Sequence, residues 1–452
     1  MVTAGARHRL TIAGYASDGA GIARLDGQVV FVKGALAGET CMVRIDKVGR
    51  SSVWGTMESV ETPSPHRIAP DCPHYGQCGG CQLRHMDYAE ELECKRVRVE
   101  DALRRIGGVS LPVTEILGAA QPLRYRNKVQ FPVGADGGIG FYRARSHSVI
   151  DVADCLLQPQ AAARLRDAVK TWMTAYHVPP YDERRGKGLL RHLYLRYNRA
   201  GQSLCCLLVN GGTLPHEAAL VQGLRAAQPN LTGVVLGVNT RRDNVILGES
   251  YRTLWGEDFL MDTLCGNTFR LSIPSFYQVN PPQTQVLYGK ALELCGLTGG
   301  ETVLDLYCGI GTISLMLARQ AARVIGVEVV PSAVEDAAEN ARRNGVTNAT
   351  FFCADTGEAA ARLLSEGVHP DVICVDPPRK GLHEEVPALL AALAPHRIVY
   401  ISCDPATLAR DLARLIPHGY QPVQAVAVDM FPRTSHVETV VLLSRPKSTL
   451  TR

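Results

Sequence analysis

The sequence predicts an α/β protein: a Rossmann-like domain on a seven-stranded sheet, preceded by a small OB-like β-barrel and a central α+β region. Three observations carry this. From about residue 270, apolar strand-like runs alternate with helix-like segments, the rhythm of a parallel sheet covered on both faces. Residues 1–61 hold short β-rich runs punctuated by Gly14, Asp18-Gly19, Asp26-Gly27, Gly34 and Gly38, which suits a barrel. Between them lie a cysteine cluster, a helical stretch and further strand pairs.

In order along the chain, residues 10–13, 29–32, 40–45 and 52–57 read as barrel strands, and Pro63, Pro65 and Pro70 as a linker. A helix is expected over 88–106, with Leu92, Val99, Leu103 and Ile106 on one face and Gly107-Gly108 ending it. Residues 125–133 and 139–152 alternate like strands around a turn at 134–138, and 189–197, 203–209 and 231–238 read as three more. The last domain supplies 302–306, 323–327, 349–353, 372–375 and 397–401, then 422–428 and 437–443. Domains are therefore expected at 1–61, 62–269 and 270–452.

Composition narrows the class. A chain of 452 residues that is 46% hydrophobic has ample core for several domains and is no disordered polymer. No run approaches ~18 consecutive apolar residues, so no membrane span is expected. The basic N-terminus lacks the apolar stretch of a signal peptide. A cytoplasmic location follows, where the 14 cysteines are expected as thiols or metal ligands rather than disulfides. The net charge of +4 is too mild to identify a nucleic-acid binder by itself.

Chemistry concentrates at strand ends. The run Asp305-Leu-Tyr307-Cys-Gly309-Ile-Gly311-Thr312 directly follows a strand, and its glycines let the backbone approach a bound cofactor. Glu328, at the end of the next strand, can accept hydrogen bonds from ribose hydroxyls. A pyrophosphate would favour a third glycine where Ser314 stands, and Asp305 would repel it. Both features favour a cationic cofactor, S-adenosyl-L-methionine, over NAD. Asp376-Pro377-Pro378-Arg379 forms a stiff turn after another strand, since two prolines remove two backbone donors. Cys403 lies between a strand and a helix, where a helix N-terminus can lower a thiol pKa. A lone cysteine is more often a small core residue, but this one aligns with Gly309 and Asp376 on one sheet edge. Glu438 interrupts an apolar strand, where a carboxylate is expensive without a role.

Cys72-x5-Cys78-x2-Cys81 enclose Gly79-Gly80, which supply the turn that three close thiolates need. Three ligands fall one short of a tetrahedral site or a [4Fe–4S] cluster, and Cys155 is the best fourth candidate. Zinc stays open, because His74 and His85 flank the cluster. Between 123 and 145, Arg124, Arg126, Lys128, Arg143 and Arg145 interleave with Tyr125, Phe131, Phe141 and Tyr142. Such a stripe suits looped or single-stranded RNA, or is only a solvated strand face.

With these residues on the page, the chain resembles the RNA uracil-C5 methyltransferases, specifically those of 23S rRNA with an N-terminal TRAM domain. Residues 1–61, with Gly21-Ile22-Ala23-Arg24 and Phe31-Val32, look like TRAM. The resemblance implies that Cys72, Cys78, Cys81 and Cys155 hold a [4Fe–4S] cluster. It implies that Gln278 in Phe276-Tyr277-Gln278-Val279-Asn280, with Tyr307, Glu328 and Asp376, contacts S-adenosylmethionine. Ser402-Cys403-Asp404-Pro405, followed by Thr407, Arg410 and Asp411, matches the nucleophile motif, and His436-Val437-Glu438 the proton-acceptor motif. The implied partner is a hairpin or loop of 23S rRNA, bound by a monomer and away from membranes. The residue types fit the chemistry: a thiolate added at uracil C6 activates C5, and a base then removes the C5 proton.

Three alternatives compete. A tRNA T-loop uracil-C5 methyltransferase is expected to lack the TRAM domain and the cysteines. An RNA cytosine-C5 methyltransferase would carry a second cysteine near Asp376-Pro377-Pro378. A non-catalytic Fe–S RNA-binding protein would not need Cys403 and Glu438.

Overall fold

The computed structural model describes residues 2–445. The N-terminal barrel orders its strands Arg7–Thr11, Thr40–Val48, Ser52–Thr62, Gln28–Lys33, Gly21–Leu25 and Gly14–Tyr15. Alternation sends Leu10, Val30, Val32, Val43, Ile45 and Val53 into one core. The strand Gly21–Leu25 escaped the sequence reading because Gly21 and Ala23 are small enough to face inward without an apolar signature. Buried Glu39 ties the linker to the barrel. It takes Arg67 Nε at 2.5 Å and the backbone N–H of Leu36 at 2.8 Å and Ser64 at 3.2 Å.

The central region is a five-stranded sheet in the order Ser250–Gly256, Leu231–Val238, Ser203–Val209, Leu190–Tyr197 and Lys128–Pro132. Helices Gln160–Ala175 and Glu217–Ala227 cover one side of it, around Leu165, Val169, Leu193, Leu207 and Leu224. The single strand expected over 139–152 is instead a hairpin of Gly140–Tyr142 and Val149–Asp151, with Arg145 at positive φ in the turn.

The C-terminal sheet runs Ala349–Cys353, Arg323–Glu328, Thr302–Leu306, Val372–Val375, Arg397–Ser402, Glu438–Ser444, Gln421–Val428, Val113–Leu117. Its first five strands are parallel, and Glu438–Ser444 is antiparallel to its neighbours. The seven expected strands are all present. The eighth, Val113–Leu117, comes from far upstream and pairs in parallel with Gln421–Val428.

The helix before that strand, Tyr88–Arg105, packs on the same sheet: Val99 and Leu103 share a core with Leu408, Leu412 and Leu415. Its buried face differs from the expected one. Ile106 is 52% exposed, and Glu91, Cys94, Lys95, Val99 and Leu103 are the buried set.

Candidate active site

Sheet register gathers the chemical residues at one edge. Leu306 pairs with Val375, Val375 with Tyr400, and Ser402 with Thr439. The loop at 307–311, Asp376, Cys403 and Glu438 therefore leave neighbouring strands together. The turn after Thr302–Leu306 is conformationally costly: Tyr307 has φ 65, Gly309 φ 55 and Gly311 φ 83. A tyrosine held in the left-handed region marks a loop whose shape matters more than its comfort. A Cβ at Gly311 would meet the ring of Phe351 and the methyl of Ala337 within 3.3 Å, so only glycine fits without a shift. Glu328 braces this loop, accepting the N–H of Gly309 at 3.2 Å and of Val329 and Val330 at 2.9 Å.

Three carboxyl groups stand here without a cation bonded to any of them. Burial pushes Asp305 up to about 7, although Ser314 Oγ donates to it at 2.5 Å, and its other oxygen has no partner. Burial likewise pushes Asp376 up to about 7. Glu438 rises to about 8, through burial first and then the charge of Asp376, with Arg379 opposing. Tyr288 Oη lies among Gln278, Thr312, Asp376 and Glu438, which places Gln278 beside the same carboxyls. An unpaired buried oxygen and three carboxyls lacking a counter-ion fit a cationic ligand with donor groups. The donor set thus suits S-adenosylmethionine.

The expectation of a lowered thiol pKa at Cys403 is not met. The thiol is pushed up to about 11, by burial first and then by Glu438 and Asp376, against Arg379. The helix Pro405–Leu415 does not rescue it. Pro405 offers no N–H, and Asp404 already accepts those of Ala406 at 2.9 Å and Thr407 at 3.0 Å.

The cysteines form a second locus. Cys78 bridges to Arg143 of the hairpin, and Gly79 N–H donates to Tyr142 O at 3.1 Å. Burial first raises the thiols of Cys155 and Cys81, and the thiols also act on one another: Cys78 and Cys72 raise Cys155, and Cys155 and Cys78 raise Cys81. Arg84 Nε donates to Cys81 Sγ at 3.4 Å, and Gly80 N–H to Cys78 Sγ at 3.4 Å. Among the described residues, no group of three or more His, Cys, Asp or Glu is close enough to hold a metal ion. His85 is turned to Tyr75 Oη, at 2.5 Å from its Nδ1. The four thiols thus share one region of the molecule.

Comparison with known proteins decides the family. Residues 252–446 match the family described as tRNA (uracil-5-)-methyltransferase, and residues 2–57 match the TRAM domain. A protein of Clostridium tetani named as an RNA methyltransferase is 43% identical over 97% of this chain and 96% of its own. Another, from Halalkalibacterium halodurans, is 44% identical over 96% of each. This chain belongs to the RNA uracil-C5 methyltransferase family. A crystal structure of Pyrococcus abyssi tRNA (uracil-54, C5)-methyltransferase in complex with S-adenosyl-L-homocysteine is similar throughout. Its TM-score is 0.77 at 28% identity, covering 96% of this chain and 100% of that one. The protein is an S-adenosylmethionine-dependent RNA uracil methyltransferase with a Rossmann-like catalytic sheet and an N-terminal TRAM domain.

That likeness removes one discriminator. A tRNA methyltransferase aligned over 96% of this chain spans the TRAM and cysteine regions, so their presence does not exclude tRNA.

The methyltransferase does not use its basic stripe as the sequence implied. Tyr125 and Phe131 are buried, and Phe141 packs on the central core, so these rings are not free to stack on bases. Arg124 is spent inside the protein: it forks onto Asp154 at 2.6 Å and donates to the carbonyls of Cys155 and Gln158 at 3.0 Å. Burial lowers Lys128 to about 8, and it sits 5.9 Å over the exposed ring of Phe276. Arg143 and Arg145 alone of the stripe's cations are exposed.

One cluster went unread. The loop 429–437 leads into Glu438 and is pinned from several sides. Buried Lys95 Nζ donates to Asp429 at 2.6 Å, Glu91 at 2.7 Å and Phe431 O at 3.3 Å. Tyr88 Oη donates to Asp429 at 2.8 Å, and Glu91 accepts the Arg433 N–H at 2.6 Å. Gln82 and Leu83, just past Cys81, donate their N–H groups to Arg433 O at 3.0 and 3.2 Å. Asn280, of the Gln278 motif, donates to Met430 O at 3.0 Å. The available signal was Glu91 and Lys95, four apart on the face that also carries Val99.

Proposed function

We propose that the protein methylates C5 of a uridine in 23S rRNA, as a cytoplasmic monomer, with Cys403 as nucleophile and Glu438 as proton acceptor. The observation that supports this most is the meeting of Cys403, Asp376 and Glu438 on one sheet edge. When bound, S-adenosylmethionine supplies an electrophilic methyl group on a sulfonium. Gln278, Tyr307, Glu328 and Asp376 would hold it, with Asp376 and Asp305 matching its positive charge. Cys403 adds to uracil C6 as the thiolate, its proton passing to solvent, and the electron pair displaced makes C5 nucleophilic. Once C5 carries the methyl group, Glu438 takes the C5 proton. The pair left behind expels the Cys403 thiolate and restores the C5–C6 double bond. A target uridine must leave its stack to reach Cys403.

Cys72, Cys78, Cys81 and Cys155 are the ligands this reading gives a [4Fe–4S] cluster, supported by the mutual influence of their thiols. The cluster has no step in the reaction. Protein purified without oxygen should carry about four irons per chain; one zinc per chain with no iron would overturn the assignment.

A second reading, uridine of a tRNA T-loop, is favoured by the likeness to the Pyrococcus tRNA enzyme. Mapping C5-methyluridine in 23S rRNA and tRNA from a strain lacking the gene, with and without its return, separates them. Loss confined to 23S rRNA supports the first reading. Loss confined to tRNA replaces it.

A further inference from the structure

Gln82 stands between two loops and bonds to both. Its backbone N–H donates to Arg433 O at 3.0 Å, and its side-chain Oε1 accepts the Ser435 N–H at 3.3 Å. In the other direction its Nε2 donates to Gly79 O at 2.9 Å, and its carbonyl accepts from Tyr75 Oη at 2.7 Å. Two bonds thus reach the loop 429–437, and two reach the cysteine loop 72–81. A single half-buried glutamine ties the cysteine loop to the segment that leads into Glu438.

The tie meets that segment at a strained point. Arg433 has φ 72, a left-handed conformation that a residue with a long side chain adopts only at a cost. Such a residue persists where its surroundings over-determine it, and here they do. Glu91 accepts its N–H at 2.6 Å, and Gln82 and Leu83 share its carbonyl. Its guanidinium reaches Met86 O and Glu91 at 3.4 Å and lies 5.6 Å over the ring of Tyr88. All of these partners fall within residues 82–91. Just downstream, Ser435 is held on both sides, its N–H by Gln82 and its carbonyl by Arg98. The His436 N–H then donates to Thr434 Oγ1 at 3.3 Å, and Glu438 follows as the first residue of its strand.

The clamp is selective among the reacting groups. Cys403 follows the strand Arg397–Ser402 and Asp376 the strand Val372–Val375, and these two strands pair with each other inside the sheet. Glu438 is the one of the three that the chain reaches through the clamped loop. A change at Gln82 therefore bears on the base and leaves the nucleophile in place.

We propose that Gln82 is a positioning residue for Glu438: by tying the cysteine loop to Arg433 and Ser435, it sets the carboxyl for removal of the C5 proton. It rests on the reading that Glu438 is the proton acceptor. The cysteine loop, which makes and breaks no bond of the substrate, then acts on one step of the reaction. In that step Glu438 takes the proton from C5, the C–H pair closes the C5–C6 double bond, and the Cys403–C6 bond breaks to release the thiolate. Addition of Cys403 and transfer of the methyl group come before it.

The test uses the full chain with Gln82→Met, which keeps the length of the side chain and loses both of its hydrogen bonds. Unmodified transcripts of 23S rRNA and of tRNA serve as probes, each also prepared with 5-fluorouridine. Misplacing the base should slow turnover by about 10²-fold, and the covalent, methylated RNA–protein complex should build up on denaturing gels. Trapping by 5-fluorouridine RNA and affinity for S-adenosylmethionine should stay at wild-type values, which also shows that the variant is folded. Gln82→Glu keeps an acceptor for the Ser435 N–H and should recover most of the turnover. Tyr75→Phe, a milder change that loses the bond to the Gln82 carbonyl, should give the same build-up at a smaller size, and it carries the test if Gln82→Met is insoluble. Unchanged turnover, or trapping slowed as much as turnover, would overturn the positioning role. Normal turnover in Glu438→Gln would instead overturn the reading beneath it.

Discussion

Two buried acidic clusters bear on Glu438, one holding the loop that leads into it and the other including it, and they are built in contrary ways. Around Asp429, the carboxylates of Glu91 and Asp429 are met by Lys95, Tyr88 and Arg433, every contact closed within the protein. At the sheet edge, Asp305, Asp376 and Glu438 stand together, and the cation that acts on Glu438, Arg379, is exposed and makes its contact with His436 at 3.4 Å. Desolvation is expensive in both places. The first cluster offsets much of it through these contacts, although burial still raises Glu91 against Lys95, and it fixes the loop that carries the base. The second leaves its carboxyls raised to about 7, 7 and 8, to be relieved when a cation arrives. Closed charge marks a support, and open charge marks a site.

The contrast breaks most sharply with Glu438→Gln against Lys95→Met. Glu438→Gln should cut turnover by about 10²–10⁴ while leaving addition and methyl transfer possible. A covalent, methylated RNA–protein complex should therefore accumulate on denaturing gels. Normal turnover would remove Glu438 from the mechanism.

Lys95→Met should destabilise by about 3–5 kcal/mol, because it strands Glu91 and Asp429 without their cation. Urea unfolding measures this. Glu438→Gln should lose far less stability, and equal losses would erase the distinction between the two clusters.

A smaller effect sharpens the electrostatic side. At pH ~7.5 the raised carboxyls of the ligand-free enzyme are partly protonated, and a sulfonium favours their anions. S-adenosylmethionine should then release protons on binding, seen by calorimetry in buffers of different ionisation heat. S-adenosylhomocysteine, with a neutral sulfur, should release fewer. Equal release by both ligands would contradict the open-charge account. Stability follows with its own sign. Because these three pKa values are raised on folding, their stabilising contribution is complete below pH ~4 and is lost as pH climbs through about 7 to 8.

The catalytic edge was legible because a parallel sheet turns sequence order into position: whatever follows a strand appears at its carboxyl end. Asp305, Asp376 and Cys403 each follow or end an apolar run, and the topology brings them together. The helix Tyr88–Arg105 and the strand Val113–Leu117 were assigned by proximity in sequence to the central region, yet they pack on the C-terminal sheet. Nothing local in either segment marks a partner some three hundred residues away. The basic stripe failed for a related reason. Arg124 and Phe131 look like a binding surface until Asp154 and the central core, both distant in sequence, claim them. The thiol of Cys403 was misjudged because burial beside Glu438 and Asp376 outweighs a helix end that Asp404 already caps.

The central claim is that Cys403 attacks uracil C6 at this edge. RNA carrying 5-fluorouridine tests it most directly, since fluorine cannot leave as a proton and the adduct cannot resolve. Wild-type enzyme with S-adenosylmethionine should form a stable RNA–protein complex, mapped by mass spectrometry to the peptide containing Cys403, and Cys403→Ala should form none. A complex that persists in Cys403→Ala, or that maps to another residue, would contradict the account.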